Sequence, residues 1–218
     1  MGDADANAVR QFVVHIGAMG FGDQIEIVAA EFGEHLRDAE KLVWVGHDKA
    51  SRGGQLRAGA GAASGRLIAF HHVDNPLTRD HVDALLAVSA DPEIRGGAFH
   101  RDLGHCWPGW GFGSPISRWW ERRFGILYGD QTCFVRREVL ASIGGVPDLR
   151  LMEDVELSKK LRESGTVTLI DPPVQPSLRK FESDGKIRRK LHNMKLLSDW
   201  KRGATPEELY ERYYGSGN

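Results

Sequence analysis

The sequence has few cysteines, no long apolar run and almost no net charge, and each of these absences removes a class of protein. Only two of its 218 residues are cysteine, too few for a disulfide framework or a zinc site with four thiolates. No apolar stretch approaches the roughly 20 residues that span a bilayer. The formal net charge is −1, so the chain lacks the positive excess typical of nucleic-acid-binding proteins. The N-terminus is acidic and polar, which does not resemble a signal peptide, and we expect a reducing, cytoplasmic compartment.

Positive charge is concentrated in one segment near the C-terminus. Residues from Arg179 to Arg202 include many lysines and arginines. On a helix, such a run is either a solvated face or a surface that contacts an anionic partner, and the sequence leaves both open. In the second case, the basic helix could contact the inner face of a membrane peripherally. The sequence also leaves the oligomeric state open.

The pattern of apolar residues alternates between strands and helices in the first half of the chain. Short apolar runs predict strands at Gln11–Ala18, Lys41–His47, Arg66–Asp74 and Gly96–Leu103. Helical spacing predicts helices at Gly22–Leu36, Ser51–Gly65 and Thr78–Asp91. This alternation predicts an α/β protein with a mainly parallel central sheet and helices on both faces.

An irregular aromatic stretch follows the predicted strand at Gly96–Leu103. It holds four of the six tryptophans, between Trp107 and Trp120. Glycine and proline punctuate it, so we expect part of Gly104–Ser117 to be mobile without ligand. The stretch is either a loop that closes over a substrate or a hydrophobic plug under a long loop.

The rest of the chain returns to regular patterns. "QTCFVRREVLASIGG" predicts a strand, a short helix and a glycine stop, "MEDVELSKKLRESG" predicts a helix, and "TVTLIDPP" predicts a strand ended by prolines. The remainder is basic and helical, and Thr205 and Pro206 are typical of the start of a last helix.

The stretch "FHHVDNP" places two polar side chains at the end of a buried strand. Because strand side chains alternate, His72 and Asp74 lie on the same side. Ligands of open α/β sheets bind at the carboxyl ends of strands, and an imidazole and a carboxylate can share one divalent cation. The alternative is that Asp74 only forms a turn.

Glu153 and Asp154 are adjacent at the start of the helix predicted from "MEDVELSKKLRESG". The helix dipole favours acidic residues in a first turn, which is one explanation for the pair. The other explanation is that one of the two carboxylates points into a cleft. Adjacent helical residues differ by about 100° in direction, so only one of them can do so directly.

Several of these segments together resemble a known family. "YGDQTCFVRREVLASIGGVPDLRLMEDVELSKKLRESG" is similar to the second half of family 2 glycosyltransferases, closest to the branch associated with arsenosugar and selenium-related gene clusters. "SRGGQLRAGAGAASG", "FHHVD", "SLRKFESDG" and "RGATPEELYERYYG" resemble further segments of that branch in the same order. The likeness covers the chain from about Ser51 to the C-terminus.

The resemblance implies the fold and organisation of a GT-A nucleotide-diphospho-sugar transferase. Residues 1–218 would form one domain. Within it, residues 1–103 would be the nucleotide-binding half, residues 104–175 the acceptor and catalytic half, and residues 176–218 a basic helical extension.

The resemblance also implies roles for individual residues. Asp74, with His72, would occupy the position of the metal and diphosphate, the metal being Mn or Mg. Asp154, preceded by Glu153, would occupy the position of the catalytic base. The remaining implied positions are Tyr128, Asp130 and Gln131 at the donor–acceptor junction, and Arg52 and Gln55 near the nucleotide.

The first two strands depart from the family's pattern. "VVHIGAMGFGD" and "VWVGHDKA" lack its nucleotide-binding motifs, and Asp48 is the nearest candidate for the second of them. Arg57 also replaces an expected asparagine. The implied function is an inverting glycosyltransferase that uses a nucleotide-sugar donor, with a UDP-sugar favoured, and a small-molecule or lipid-linked hydroxyl acceptor. The alternative is a non-catalytic GT-A-like domain that binds a nucleotide or a protein.

Overall fold

The computed structural model describes residues 3–32, 42–47, 51–102, 119, 125–165, 167–175 and 186–215. The helices are α1 (Asp3–Ala18), α2 (Arg52–Ala62), α3 (Arg79–Ala90), α4 (Arg137–Ser142), α5 (Glu153–Ser164), α6 (Lys186–Lys201) and α7 (Pro206–Tyr214). The strands are β1 (Ile27–Phe32), β2 (Leu42–His47), β3 (Leu67–Phe70), β4 (Gly96–Arg101), β5 (Cys133–Arg136) and β6 (Thr168–Val174). Short 3₁₀ helices lie at Gly22–Gln24 and Gly129–Gln131.

The protein is α/β, and its larger sheet is mixed. Four strands pair in the order β3-β5-β4-β6, and β1 and β2 form a separate parallel pair. β4 is parallel to β6, whereas β5 is antiparallel to both β3 and β4. The prediction of a mainly parallel sheet is therefore corrected. It rested on a helix between successive strands, whereas the sequence pattern before β5 predicts none, and antiparallel neighbours need no crossover helix.

The segment Gln11–Ala18, predicted as a strand, is instead the second half of α1. In a strand, Phe12, Val14 and Ile16 would share one face. In the structure Ile16 is buried and Phe12 packs against the same apolar cluster, while Val14 is 73% exposed. This spacing of four residues between buried positions is helical, and it overrides the strand propensity of the valines.

The segment Gly22–Leu36, predicted as a helix, instead contains a 3₁₀ turn and then β1. Gly20 and Gly22 have positive φ values of 75° and 55°, so the chain turns before the strand begins. β1 then pairs with β2 in parallel, with Ile27 opposite Leu42. The β-branched residues at its start favour this pairing over a helix. Residues 33–36 lie outside the described part of the chain.

The other predicted strands and helices are confirmed, with boundaries shifted by a few residues. β2, β3, β4 and β5 and α2, α3, α4 and α5 all form where the patterns predicted them. Pro172 and Pro173 lie inside β6 instead of ending it. Thr205 caps α7, because its hydroxyl accepts the Glu208 backbone N–H at 3.3 Å, while its own N–H donates to the Glu208 carboxylate at 2.9 Å.

Apolar side chains cover both faces of the mixed sheet. Neighbouring residues on β4 separate the two faces: Ala98 belongs to a cluster with α2, α4 and α5, and Phe99 belongs to a cluster with α1 and α3. Helices pack against both faces of the mixed sheet, and this packing fixes the positions of its strands. Among the described helices, none combines the length and the apolar character that crossing a membrane requires. The three residue ranges predicted within the domain stay predictions.

Candidate active site

The predicted acidic pair lies where the starts of two helices meet. Arg52, the first residue of α2, places its Nε 3.1 Å from Oε1 of Glu153, the first residue of α5. The Glu153 side chain is 3% exposed and the Arg52 side chain 44%. A buried carboxylate is thus paired with a cation that reaches solvent.

The start of α2 is fixed against the loop that precedes α5. The Ser51 hydroxyl donates to Oδ1 of Asp148 at 2.7 Å and accepts the Gly54 N–H at 3.0 Å, capping the helix. The Gly53 N–H donates to the Leu149 carbonyl at 3.0 Å. This contact leaves no room for a side chain, because a Cβ on Gly53 would lie 2.1 Å from the Pro147 carbonyl oxygen. The "SRGG" segment therefore allows the close approach that brings Arg52 to Glu153.

Two backbone groups orient the Asp154 carboxylate. Oδ2 accepts the Gly129 N–H at 3.1 Å, and Oδ1 accepts the Val155 N–H at 2.8 Å. Ser158 strengthens the same junction, because its hydroxyl accepts the Leu127 N–H at 2.8 Å and donates to the Asp154 carbonyl at 2.7 Å. Asp154 is therefore held between α5 and the 3₁₀ turn that contains Gly129.

That turn also approaches Arg52 closely. A Cβ on Gly129 would lie 2.4 Å from Nη2 of Arg52, so a larger residue there would make the guanidinium shift from its present position. Two non-glycine residues beside the site have left-handed backbones: Met152, just before Glu153, with φ of 67°, and Thr132, just after the turn, with φ of 50°. Such conformations cost on the order of 1–3 kcal/mol each and cluster at functional sites.

Burial raises the proton affinity of both carboxylates of the pair. Burial raises the pKa of Glu153 to about 7. The positive charge of Arg52 opposes this rise, and the negative charge of Asp154 adds to it. Burial likewise raises the pKa of Asp154 above its ordinary value, although Arg52 and the N–H groups of Gly129 and Val155 oppose it. Glu153 therefore exchanges its proton near neutral pH, and Asp154 does so at a higher pH than an exposed aspartate would.

We expect Glu153 to lower the free energy of unfolding as the pH rises from 4.5 to about 7, whereas His71, with its lowered pKa, contributes in the opposite direction up to about its ordinary pKa of 6.5. Unfolded, Glu153 loses its proton near its ordinary pKa of 4.5, whereas folded it keeps the proton until about 7. In that window Glu153 binds more protons in the folded state than in the unfolded state, so its effect as the pH rises is destabilising. Urea unfolding at the two ends of the window measures the change in the wild type and in Glu153→Gln, and the variant should lose less stability, or gain more, than the wild type over this range. An equal change in the two proteins would assign the effect to other groups.

The three residues predicted at the donor–acceptor junction lie together in the 3₁₀ turn, but their side chains differ in availability. Gln131 is 1% exposed and supports the turn, because its Nε2 donates to the Phe99 carbonyl at 3.1 Å and its Oε1 accepts the Tyr128 N–H at 2.9 Å. The Tyr128 ring lies under the Arg101 guanidinium at 4.5 Å. Oδ1 of Asp130 is buried and has no hydrogen-bond partner within the described residues.

The end of β3 adjoins the same turn. Nδ2 of Asn75 donates to the Asp130 carbonyl at 2.8 Å. His71 links the two segments further: its Nε2 contacts the Asn75 carbonyl at 3.0 Å and its Nδ1 contacts Oγ1 of Thr132 at 2.9 Å. Burial lowers the pKa of His71 to about 4, so this imidazole is neutral at physiological pH and donates through Nε2. The strand end and the acidic pair thus meet at one turn.

The predicted metal ligands are neighbours and are partly exposed. Nδ1 of His72 lies 3.6 Å from Oδ2 of Asp74, but β3 ends at Phe70, so the strand alternation from which their shared direction was predicted does not extend to them. Within the described part of the chain, no group of three or more His, Cys, Asp or Glu residues could hold a metal. A cation here would therefore take two protein ligands and complete its shell with water or substrate oxygens, so the metal stays a prediction.

Two other predicted positions contribute less. Gln55 is half-buried on the first turns of α2. Asp48 and the stretch Gly104–Ser117 lie outside the described residues.

Sequence reasoning missed Gly129 and His71, although both are in the quoted segments "YGDQ" and "FHHVDNP". His71 directly follows β3, and its contacts with Thr132 and Asn75 give it a supporting role in the interior.

No family model matches the sequence, and no curated protein matches it either. The likeness to family 2 glycosyltransferases therefore depends on the order and spacing of the quoted motifs. The GT-A fold, the activity and the residue roles that the likeness implies are proposals.

Proposed function

We propose that the protein is an inverting glycosyltransferase of the GT-A type, which moves a sugar from a nucleotide-diphosphate donor to a hydroxyl acceptor. The observation that carries the proposal is the Asp154 carboxylate, held by two backbone N–H groups at the junction of α5 with the turn after Tyr128. Its raised pKa supports a role in accepting a proton. The position of His72 and Asp74 just after β3 supports a diphosphate site beside it.

In this proposal Asp154 acts as the general base. The acceptor oxygen forms a bond to the anomeric carbon from the face opposite the leaving group, and its proton passes to the Asp154 carboxylate. The bond from the anomeric carbon to the diphosphate oxygen breaks, and the nucleoside diphosphate leaves with that electron pair. Attack from the opposite face inverts the anomeric configuration. A base at this position contributes roughly 10²- to 10⁴-fold to the rate.

The other residues of the site have supporting roles. Glu153 orients the guanidinium of Arg52, which carries positive charge to the side of the site where the donor's phosphates are proposed to lie. His72 and Asp74 would hold a Mn or Mg ion, and such an ion supplies charge neutralisation for a departing diphosphate. Gln131 and His71 keep the turn and the end of β3 in register.

Donor turnover tests the proposal against its alternative. We expect the protein to release nucleoside diphosphate from a nucleotide sugar with Mn present, slowly to water and faster with a suitable acceptor. A panel of UDP- and GDP-sugars assayed by release of the diphosphate would identify the donor. The altered first two strands favour a non-catalytic nucleotide- or protein-binding domain as the alternative. Donor binding without turnover on any acceptor would support that alternative.

We expect Mn to raise donor affinity less in Asp74→Ala than in the wild type. The physical reason is that the substitution removes the one carboxylate of the proposed metal site and leaves only the His72 imidazole. The measurement is calorimetric titration of the donor with and without Mn. Asp83→Ala, which removes an aspartate on α3, is the matched control and should respond like the wild type. An equal effect of Mn in Asp74→Ala would show that Asp74 is not a ligand.

A further inference from the structure

The last helix is firmly anchored and ends beside the acidic pair. Leu209 on α7 is fully buried, and Nη1 of Arg212 lies 2.9 Å from Oδ2 of Asp199 on α6. The capping box at Thr205 fixes the start of the helix. The end of α7 therefore has a defined place even though it is close to the C-terminus.

A stacked arginine connects α7 to the start of α5. The Arg150 guanidinium lies 3.9 Å from the centre of the Tyr210 ring. Arg150 is three residues before Glu153, and Tyr210 is one helical turn before Tyr214. This contact places the end of α7 alongside the loop that leads into the acidic pair, and a cation over an aromatic face stabilises it.

Tyr214 combines exposure with fixed surroundings. It is 53% exposed, yet its ring centre lies 4.6 Å from that of Tyr210 and 4.7 Å from that of Tyr213. Burial raises the pKa of its phenol, and Arg52 and Glu153 are near enough for their charges to act on that pKa as well. An exposed aromatic ring is thus held in place at the edge of a site that contains a guanidinium and two carboxylates.

This set of groups fits one class of ligand. The face of an aromatic ring is electron-rich and attracts the C–H bonds on the apolar face of a pyranose. The Arg52 guanidinium, which reaches solvent, and the partly exposed Asp154 carboxylate can form hydrogen bonds with hydroxyls on the rim of the same ring, while the buried Glu153 only holds the guanidinium. A linear polyol offers the hydroxyls without the apolar ring face.

We propose that Tyr214 is the stacking platform for a pyranose ring of the acceptor, so that the acceptor is a saccharide or a glycoside. The role of Tyr214 in transfer rests on the proposed function, in which Asp154 takes the proton of a hydroxyl on the pyranose ring. The binding of the ring itself does not depend on turnover.

The test measures binding of simple sugars without donor. Saturation-transfer NMR with methyl glucoside, methyl galactoside and methyl mannoside as probes should detect at least one pyranoside, while sorbitol should give no signal. Tyr214→Ala should weaken that binding about three- to tenfold, the effect of losing one aromatic contact. Tyr214→Phe keeps the ring and should bind within about twofold of the wild type. Met194→Ala, which removes a similarly exposed apolar side chain on α6, should change nothing.

Two results would overturn the proposal: no pyranoside binding to the wild type, or equal binding to Tyr214→Ala and the wild type. Failure of the proposed function gives a different pattern, in which the wild type turns over no nucleotide sugar while Tyr214→Ala still loses pyranoside binding. The two ideas can therefore fail separately.

Discussion

Asp154→Asn should lower the rate of sugar transfer by about 10²- to 10⁴-fold while leaving donor affinity within about twofold. Asparagine keeps the size of the side chain and one oxygen that can accept from Gly129 or Val155, but it cannot take the acceptor's proton. Donor affinity should be preserved because the proposed phosphate contacts lie at Arg52 and Asp74. Initial rates of diphosphate release with acceptor, together with donor titration, measure both quantities.

Glu156→Gln is the matched control for this substitution. Glu156 is on the same helix and is partly exposed beside Lys159, with 3.9 Å between their charged atoms. It should keep near-normal transfer. Near-normal transfer in Asp154→Asn, or parallel loss of donor binding and turnover, would mean that the acidic pair is only a helix start.

Gly53→Ala should destabilise the protein by about 3 kcal/mol, the upper part of the range for overpacking a buried site. The new Cβ would lie 2.1 Å from the Pro147 carbonyl oxygen and 2.6 Å from the Leu149 nitrogen. Both are backbone atoms, so they can move away only if the loop before α5 moves. Separation of α2 from this loop would also draw Arg52 away from Glu153. Urea unfolding measures the stability, and transfer assays measure the loss of activity in the folded fraction.

Gly61→Ala on the same helix is the control for Gly53→Ala. A Cβ at Gly61 would meet nothing within 4 Å, so alanine should stabilise the helix by up to about 1 kcal/mol through its higher helix propensity. Opposite signs for the two substitutions would confirm the close approach of α2 to the loop before α5. Similar small effects would contradict it.

The helix start at Glu153 and Asp154 could be predicted from sequence because it is local. The glycine stop at Gly165, the periodic leucines of α5 and the paired acids all lie within one segment. These features depend on neighbours a few residues apart, which are visible in the sequence. The alternation in "FHHVD" was a weaker guide, because β3 ends at Phe70 and both His72 and Asp74 lie in the loop after it.

The surroundings of the pair could not be predicted in the same way, because they come from distant segments. Arg52, Gly129 and Tyr214 approach the pair only when α2, the 3₁₀ turn and α7 pack together. No spacing in the sequence shows that Gln131 supports the turn from the interior. The segment Gln11–Ala18 was predicted wrongly for a related reason, since its valines favour a strand locally while burial of Phe12 and Ile16 on one helical face decides the structure.

The pH dependence of transfer with saturating donor and acceptor tests the central claim, that Asp154 is the base, most directly. As the pH rises, the wild type should gain rate as Asp154 loses its proton, at a pH above the ordinary value for an aspartate because burial raises its pKa. This rise should remain in Glu153→Gln and disappear in Asp154→Asn, whose residual rate should not depend on pH over the same range. A rise of equal size in Asp154→Asn would contradict the account.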